Sequence, residues 1–378
     1  MNILVLGGTG AMGIPLVEKL SIDNIVYVTS RRKLVSTERI RFIQGNATEK
    51  SFLEQIVTSQ HWDAIIDFMV HPEGDFEQLI NIFLNNTKQY VFISSARVYS
   101  QSEEAITENT PRLLDVCEDT EYLKTNEYAL AKAREEDKLF KSGKKNFTII
   151  RPTITYNEKR LQLGVLEKEN WLYRALKGRS IVFSNDINNK LTTMTYGYDV
   201  SMGIVSIIGK KEAFGEAFHI TYTKSLLWSE VLSIYLNTLR KHLGKEVPVV
   251  FTNKSTNLKF KNRIYQVIYC RYFNRTFDNS KIARHCDIST FTPPKVGLTN
   301  CLERFLKNPT FNNIQWEIEA VNDKAAKEHT PLWEIPTFNE RLNYIYYRYQ
   351  YAIFLVKAIR FIIHIKNKIK WKLKRLTN

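Results

Sequence analysis

Met1-Asn2-Ile3-Leu4-Val5-Leu6-Gly7-Gly8-Thr9-Gly10-Ala11-Met12-Gly13 is the stretch that decides the fold of this chain. A short apolar run over residues 2–6 ends in glycines, and from about Ala11 to Leu20 apolar positions recur at helical spacing. The order is strand, glycine loop, helix. Glycine permits the tight turn and lets backbone N–H groups approach a pyrophosphate, whose charge is favoured at the open N-terminus of a helix. In this context Gly7, Thr9, Gly10, Ala11, Met12 and Gly13 are candidates for holding a dinucleotide, against the alternative of a plain structural turn.

Working outward, further apolar runs at residues 25–28, 40–43, 64–68, 90–93 and 147–150 alternate with helix-like segments. Such alternation predicts parallel βαβ units, whose strands are buried on both faces and so read as continuously apolar. The expected architecture is α/β: a Rossmann doubly wound parallel sheet over residues 1–155, with a return segment near 195–208. After Arg151-Pro152 the alternation fades and Asn, Lys and aromatic residues become frequent, which predicts a smaller C-terminal substrate lobe over residues 156–335. A length of 378 residues agrees with two unequal lobes.

Composition narrows the class. With 44% hydrophobic and 25% charged residues the chain is an ordinary globular one, far from disorder. Cys117, Cys270, Cys286 and Cys301 form neither a CxxC pair nor a zinc-like spacing, so no metal is expected and a reducing compartment is the simplest reading. The N-terminal residues lack the basic and long apolar regions of a secretory signal, which makes a cytoplasmic location the expectation. A net charge of +15 points to nucleic acid, an acidic membrane surface or anionic substrates, and much of it lies near the C-terminus.

Tyr128-Ala129-Leu130-Ala131-Lys132 places a phenol and an ammonium four residues apart in a helix-forming stretch, so both face one way. A phenol beside an ammonium suits general acid/base work in hydride transfer; a surface helix carries the same pair by chance. Ser94-Ser95 stands at the C-terminal end of the fifth apolar run, where open α/β sheets bind ligands. At the end of the second run, where an acid usually holds the ribose 2′-hydroxyl of NAD, stand Thr29-Ser30-Arg31-Arg32. Arginine pairs well with a 2′-phosphate, so Ser30, Arg31 and Arg32 favour NADP over NAD, the alternative being a solvated basic turn.

The glycine loop, Ser94-Ser95-Ala96-Arg97-Val98-Tyr99, Tyr128-x-x-x-Lys132 and Arg151-Pro152-Thr153-Ile154-Thr155-Tyr156 together resemble the ordered motifs of extended short-chain dehydrogenases/reductases, the nucleotide-sugar epimerase/dehydratase group. The likeness spans about residues 1–310. It implies that Ser95 polarises the substrate, Tyr128 is the acid/base and Lys132 binds the nicotinamide ribose, with Ser94 as the fallback for Ser95. It also implies that Arg151 and Pro152 line the cofactor, and that Asp199 has a structural role. Gly45-Asn46-Ala47-Thr48 stands where the family commonly has Gly-Asp, so Asn46 and Ala47 are the candidates at the adenine, the contact of that Asp being made by an amide or lost, and Ser100 and Asn157 replace family glycines.

The function implied is an NAD(P)-dependent epimerase or reductase working through a keto intermediate on a nucleotide-activated or lipid-linked sugar. The alternative from another class is a catalytically lapsed relative binding RNA or a regulatory partner, with nucleic acid the less favoured partner. From residue 340 to 378 a basic amphipathic C-terminal helix is expected: Phe361, Ile365, Ile369 and Leu373 share a face, and Lys366 to Leu376 includes no acid. Such a helix either lies peripherally on an anionic membrane, gaining roughly ~1 kcal/mol per basic residue, or packs on the enzyme or a second subunit in a homodimer.

Overall fold

The apolar runs pair into one central parallel sheet. Its strands are β1 (Asn2–Leu6), β2 (Ile25–Ser30), β3 (Ile40–Gln44), β4 (Ala64–Asp67), β5 (Tyr90–Ile93), β6 (Phe147–Ile150) and β7 (Glu216–Phe218). They lie in the order β7-β6-β5-β4-β1-β2-β3, all parallel. This is the expected Rossmann arrangement, with the reversal of direction at β1 and β4. The seventh strand was not expected: three residues at a sheet edge are too short to carry a period. The computed structural model describes residues 1–258 and 263–349, with scattered positions between 354 and 368.

Successive side chains of a strand point to opposite faces, and β1 shows the consequence. Ile3 and Val5 join a core with Leu16, Val17, Val200 and Ile204, whereas Leu4 and Leu6 join another with Leu53, Phe76 and Phe83. The first core includes helix α1 (Gly13–Leu20), which opens directly from the glycine loop. Helix α2 (Tyr128–Phe140) runs between β5 and β6 in sequence. Each aliphatic side chain taken fully out of water stabilises the sheet by about 1.5–3 kcal/mol, so this double-sided burial fixes the strand ends that carry the site.

Outside the sheet, a third core gathers Leu161, Trp171, Trp228, Tyr235, Leu298 and Leu302. Helix α3 (Lys168–Leu176) contributes Trp171 and Leu172 to it. Helix α4 (Gly197–Ile207), in the expected return segment, packs against α1. A Cβ on Gly197 would stand 2.7 Å from the Ala11 carbonyl, and Ser201 donates to the Met12 carbonyl at 2.7 Å. Asp199 on α4 accepts from the Thr292 N–H at 2.7 Å, and burial pushes its carboxyl up to about 6.

Helix α5 (Trp316–Ala326) brings Glu319 and Asp323 to Arg174 of α3 at 2.8 and 2.7 Å, in full burial. The amphipathic helix expected over 340–378 falls mostly outside the described residues; the helix Phe338–Arg348 includes its beginning. Among the described residues no helix is long and apolar enough to cross a membrane.

Candidate active site

Strands β1 and β4 are neighbours whose chains leave in different directions, which opens a crevice at their C-terminal ends. The glycines there do three separate jobs. Gly7 turns the chain at φ +72°, a conformation strained for other residues, and its N–H donates to Thr29 Oγ1 at 3.1 Å. Gly13 lets α1 press on the loop, since a Cβ there would meet the Gly8 carbonyl carbon at 2.6 Å. Gly10 is the clearance: a Cβ on it would meet nothing within 4 Å.

Two cavities flank this loop. The larger, about 930 Å³, is bounded by Gly8, Thr9, Ser30, Arg31 and Arg32, with Arg304 also on its wall. Ser30 Oγ is held by the Arg32 N–H at 3.1 Å. The smaller, about 360 Å³, is lined by Met12, Ser95, Tyr128, Lys132 and Pro152 among others. Residues far apart in the chain thus meet beside the loop.

Local structure positions each of them. Ser95 caps the turn Ala96–Val98, its Oγ accepting from the Arg97 N–H at 3.2 Å. Glu127 caps α2 through the Ala129 N–H at 2.8 Å, so Tyr128 is the first residue of the helix. Arg97 pairs with Glu127 and lays its guanidinium 5.3 Å from the centre of the Tyr128 ring. Tyr128 is 37% exposed, open enough to meet a ligand. One turn on, Lys132 is buried with Nζ 3.0 Å from Glu135 Oε2 and 4.4 Å from the Phe92 ring centre. That ammonium has no well-aligned hydrogen bond.

Behind the site, buried carboxylates hold α2 to the sheet. Glu136 accepts from Ser94 Oγ at 2.5 Å and from Arg151 Nε and Nη2 at 2.9 and 2.7 Å. Arg151, expected at the cofactor, lines neither cavity. Its guanidinium turns away to neutralise Glu136, whose buried charge would otherwise be uncompensated, while Pro152 lines the smaller cavity. Ser94, tied to the same carboxylate, is not a free hydroxyl. Asn46 accepts from Thr48 N and Oγ1 at 3.2 and 2.8 Å, and Ala47 is buried in the core, so neither side chain bounds the two cavities. The Ala11 carbonyl is packed against Gly197.

Sequence reasoning missed two groups. At the end of β4, Asp67 accepts from His71 Nε2 and Tyr90 Oη, both at 2.8 Å. Burial pushes the Asp67 carboxyl up, but the His71 charge and these hydrogen bonds outweigh it and hold it below its ordinary value. Burial draws His71 down, and Asp67 in turn outweighs that and raises it. Beside them, burial raises Glu135 despite the opposing pull of Lys132. The i,i+4 spacing of Asp67 and His71 was the one available signal. The second group is Gln162, Arg271 and Arg275, which line the smaller cavity from the irregular part of the chain, where no period marks them.

Comparison with known proteins now bears on this arrangement. The family model described as NAD dependent epimerase/dehydratase family matches residues 3–220. The chain belongs to that family. A UDP-glucose 4-epimerase of Lacticaseibacillus casei is 30% identical over 140 residues, a match covering 30% of this chain and 41% of that enzyme. Among solved structures, the Bordetella bronchiseptica enzyme WbmH in complex with NAD+ superposes with a TM-score of 0.62 at 13% identity, covering 82% of this chain and 99% of that one. UDP-glucuronic acid 4-epimerase from Bacillus cereus, in complex with UDP-glucuronic acid and NAD, gives 0.58 at 17% identity, covering 81% and 100%. These structures share the family's fold with the chain.

The residues present fit the family's dinucleotide. Gly10 leaves the clearance that phosphates require, and the Lys132 ammonium, buried without an aligned hydrogen bond, has donors to give.

Proposed function

We propose that this protein is a nicotinamide-dependent epimerase or reductase acting on a nucleotide-activated sugar. The observation that carries the reading is the meeting of Ser95, Tyr128 and Lys132 in one cavity beside the glycine loop. A bound nicotinamide dinucleotide supplies reversible hydride uptake from a sugar carbon. In this reading Tyr128 takes the proton of the sugar hydroxyl as the carbonyl forms, and returns it when the carbonyl is reduced. Ser95 steadies the same oxygen with a hydrogen bond. Lys132, fixed by Glu135 and the Phe92 ring, holds the ribose of the dinucleotide. The name of the Lacticaseibacillus casei relative favours epimerisation.

We further propose NADP over NAD. The support is the absence of an acid after β2 and the presence of Arg31, Arg32 and Arg304 on the wall of the larger cavity. Fluorescence titration with NADPH and NADH tests it, and tighter NADH binding overturns it.

The test of the function is Tyr128→Phe with a screen of UDP-, GDP- and dTDP-sugars. Turnover is expected to fall by about 10²–10⁴-fold with dinucleotide affinity retained. Undiminished turnover in the variant removes Tyr128 from the chemistry.

A further inference from the structure

We infer that the smaller cavity contains an anion subsite, formed by Arg271 and Arg275 with Gln162, that takes a carboxylate carried on the sugar ring of the substrate. The inference rests on the nucleotide-sugar reading of the same cavity and names its substrate class.

A buried guanidinium is normally paired, because its charge is costly to hold away from water. Arg151 meets Glu136, Arg174 meets Glu319 and Asp323, and Arg97 meets Glu127. Arg271 and Arg275, 4% and 6% exposed, meet no carboxylate within ion-pair distance among the described residues. Their donors go to neutral acceptors: Arg271 Nε to the Gly164 carbonyl at 3.0 Å, and Arg275 to the carbonyls of Ser100, Tyr99 and Tyr269, each at 3.1 Å. Arg275 Nε has no hydrogen-bond partner among the described residues. Burial accordingly holds both guanidinium groups below their ordinary value.

The nearest acid feels this excess. Cys270 Sγ accepts from Arg271 Nη1 at 3.0 Å. Burial pushes the thiol up, yet the charges of Arg271, Arg275 and Arg97 outweigh it and draw it below its ordinary value. Gln162 is a second, independent sign of a ligand. It is 1% exposed, it lines the cavity, and among the described residues both its amide nitrogen and its amide oxygen are without hydrogen-bond partners. An amide with donor and acceptor both open suits a sugar hydroxyl beside an anion.

Position selects the carboxylate. Arg275 is anchored on the carbonyls of Tyr99 and Ser100, just past Ser95. Of the two arginines, Arg275 is thus the one held against the segment that follows Ser95. In a pyranose the diphosphate sits on the anomeric carbon, across the ring from C4, whereas a carboxylate on C5 adjoins the C4 hydroxyl. A cavity of about 360 Å³ is of a size to hold the sugar unit.

The experiment is calorimetric titration of the full chain, loaded with its dinucleotide, using UDP-glucuronate, UDP-glucose, UDP and the matching dTDP compounds. The uronate is expected to bind at least about tenfold more tightly than the neutral sugar, and Arg271→Met to abolish that preference while leaving UDP affinity within about twofold. An equal loss for UDP assigns the arginine to the diphosphate and overturns the proposal, as does the lack of a preference in both series. Alkylation of Cys270 by iodoacetamide, read by mass spectrometry on the unmutated protein, gives a check independent of the variant's folding: the uronate should protect the thiol more than the neutral sugar, and equal protection is a refutation. Because binding is measured rather than turnover, an inactive protein that still prefers uronates would sink the proposed activity and leave the subsite standing.

Discussion

Arg174 and Arg271 are both buried guanidinium groups outside the central sheet, and their surroundings are opposite. Arg174 donates to Glu319 at 2.8 Å, to Asp323 at 2.7 Å and to Glu328 at 2.8 Å, so charge is matched inside the fold. Arg271 donates to a carbonyl and a sulfur and keeps its charge unmatched beside a cavity. The first arrangement serves packing: it ties α3 to α5, and every nitrogen of the Arg174 guanidinium has an acceptor within the fold. The second is incomplete on its own terms, and that incompleteness is what marks a binding surface.

The largest effect expected from this contrast is on Arg174. Arg174→Met leaves Glu319 and Asp323 buried without their counter-charge, and breaking a buried pair on one side costs about 3–5 kcal/mol. Urea unfolding should show a correspondingly lower midpoint with an unchanged slope. A loss below about 1 kcal/mol would mean that the cluster is not the closed unit described here.

Next in size is a pH effect within the same cluster. Burial and the neighbouring Asp323 charge push Glu319 up to about 7 from an ordinary 4.5, although Arg174 pulls the other way. Between those values the folded chain binds the proton that the unfolded chain releases, so this group's contribution to stability is present below about pH 4.5 and is lost as pH rises through 7. Glu319→Gln, which keeps the shape and cannot ionise, should gain stability relative to the unmutated chain between pH 5 and pH 8. Parallel pH curves for the two proteins would refute the assignment.

Much of this contrast could not be seen in the sequence. The sheet could, because buried parallel strands must be apolar throughout, and the glycine loop could, because Gly7 and Gly13 each answer a local backbone demand. Tyr128 and Lys132 were legible through helical spacing, and Ser95 through its place at a strand end. The pairing of Arg151 was not legible, since its position after β6 is regular but the direction of its side chain depends on Glu136, distant in sequence. Arg271, Arg275 and Gln162 come from segments without a period, and whether an arginine is paired is a tertiary property. Their one trace in the sequence is that Arg271 and Arg275 interrupt an aromatic stretch that itself contains no acid, Ile268-Tyr269-Cys270-Arg271-Tyr272-Phe273-Asn274-Arg275.

A smaller effect, of opposite sign to that at Arg174, is expected at Arg271. Arg271→Met removes a charge that no carboxylate balances, at the cost of hydrogen bonds to Gly164 and Cys270. The two contributions nearly offset, and melting in the absence of sugar should show an unchanged or higher midpoint, within about 1 kcal/mol of equivalent stability. A fall comparable to that of Arg174→Met would erase the distinction between the two arginines.

The smallest effect belongs to an arginine that is neither matched in the interior nor left open at a cavity. Arg240 pairs with Glu246 at 3.1 Å, but the side chains are 54% and 72% exposed. Water and salt screen such a pair, and ordering two long side chains costs entropy that cancels most of the attraction. Arg240→Ala should therefore change stability by less than about 0.5 kcal/mol and leave the uronate preference untouched. A larger loss of stability would mean that distance alone, rather than burial and the balance of charge around it, governs what an arginine contributes in this fold.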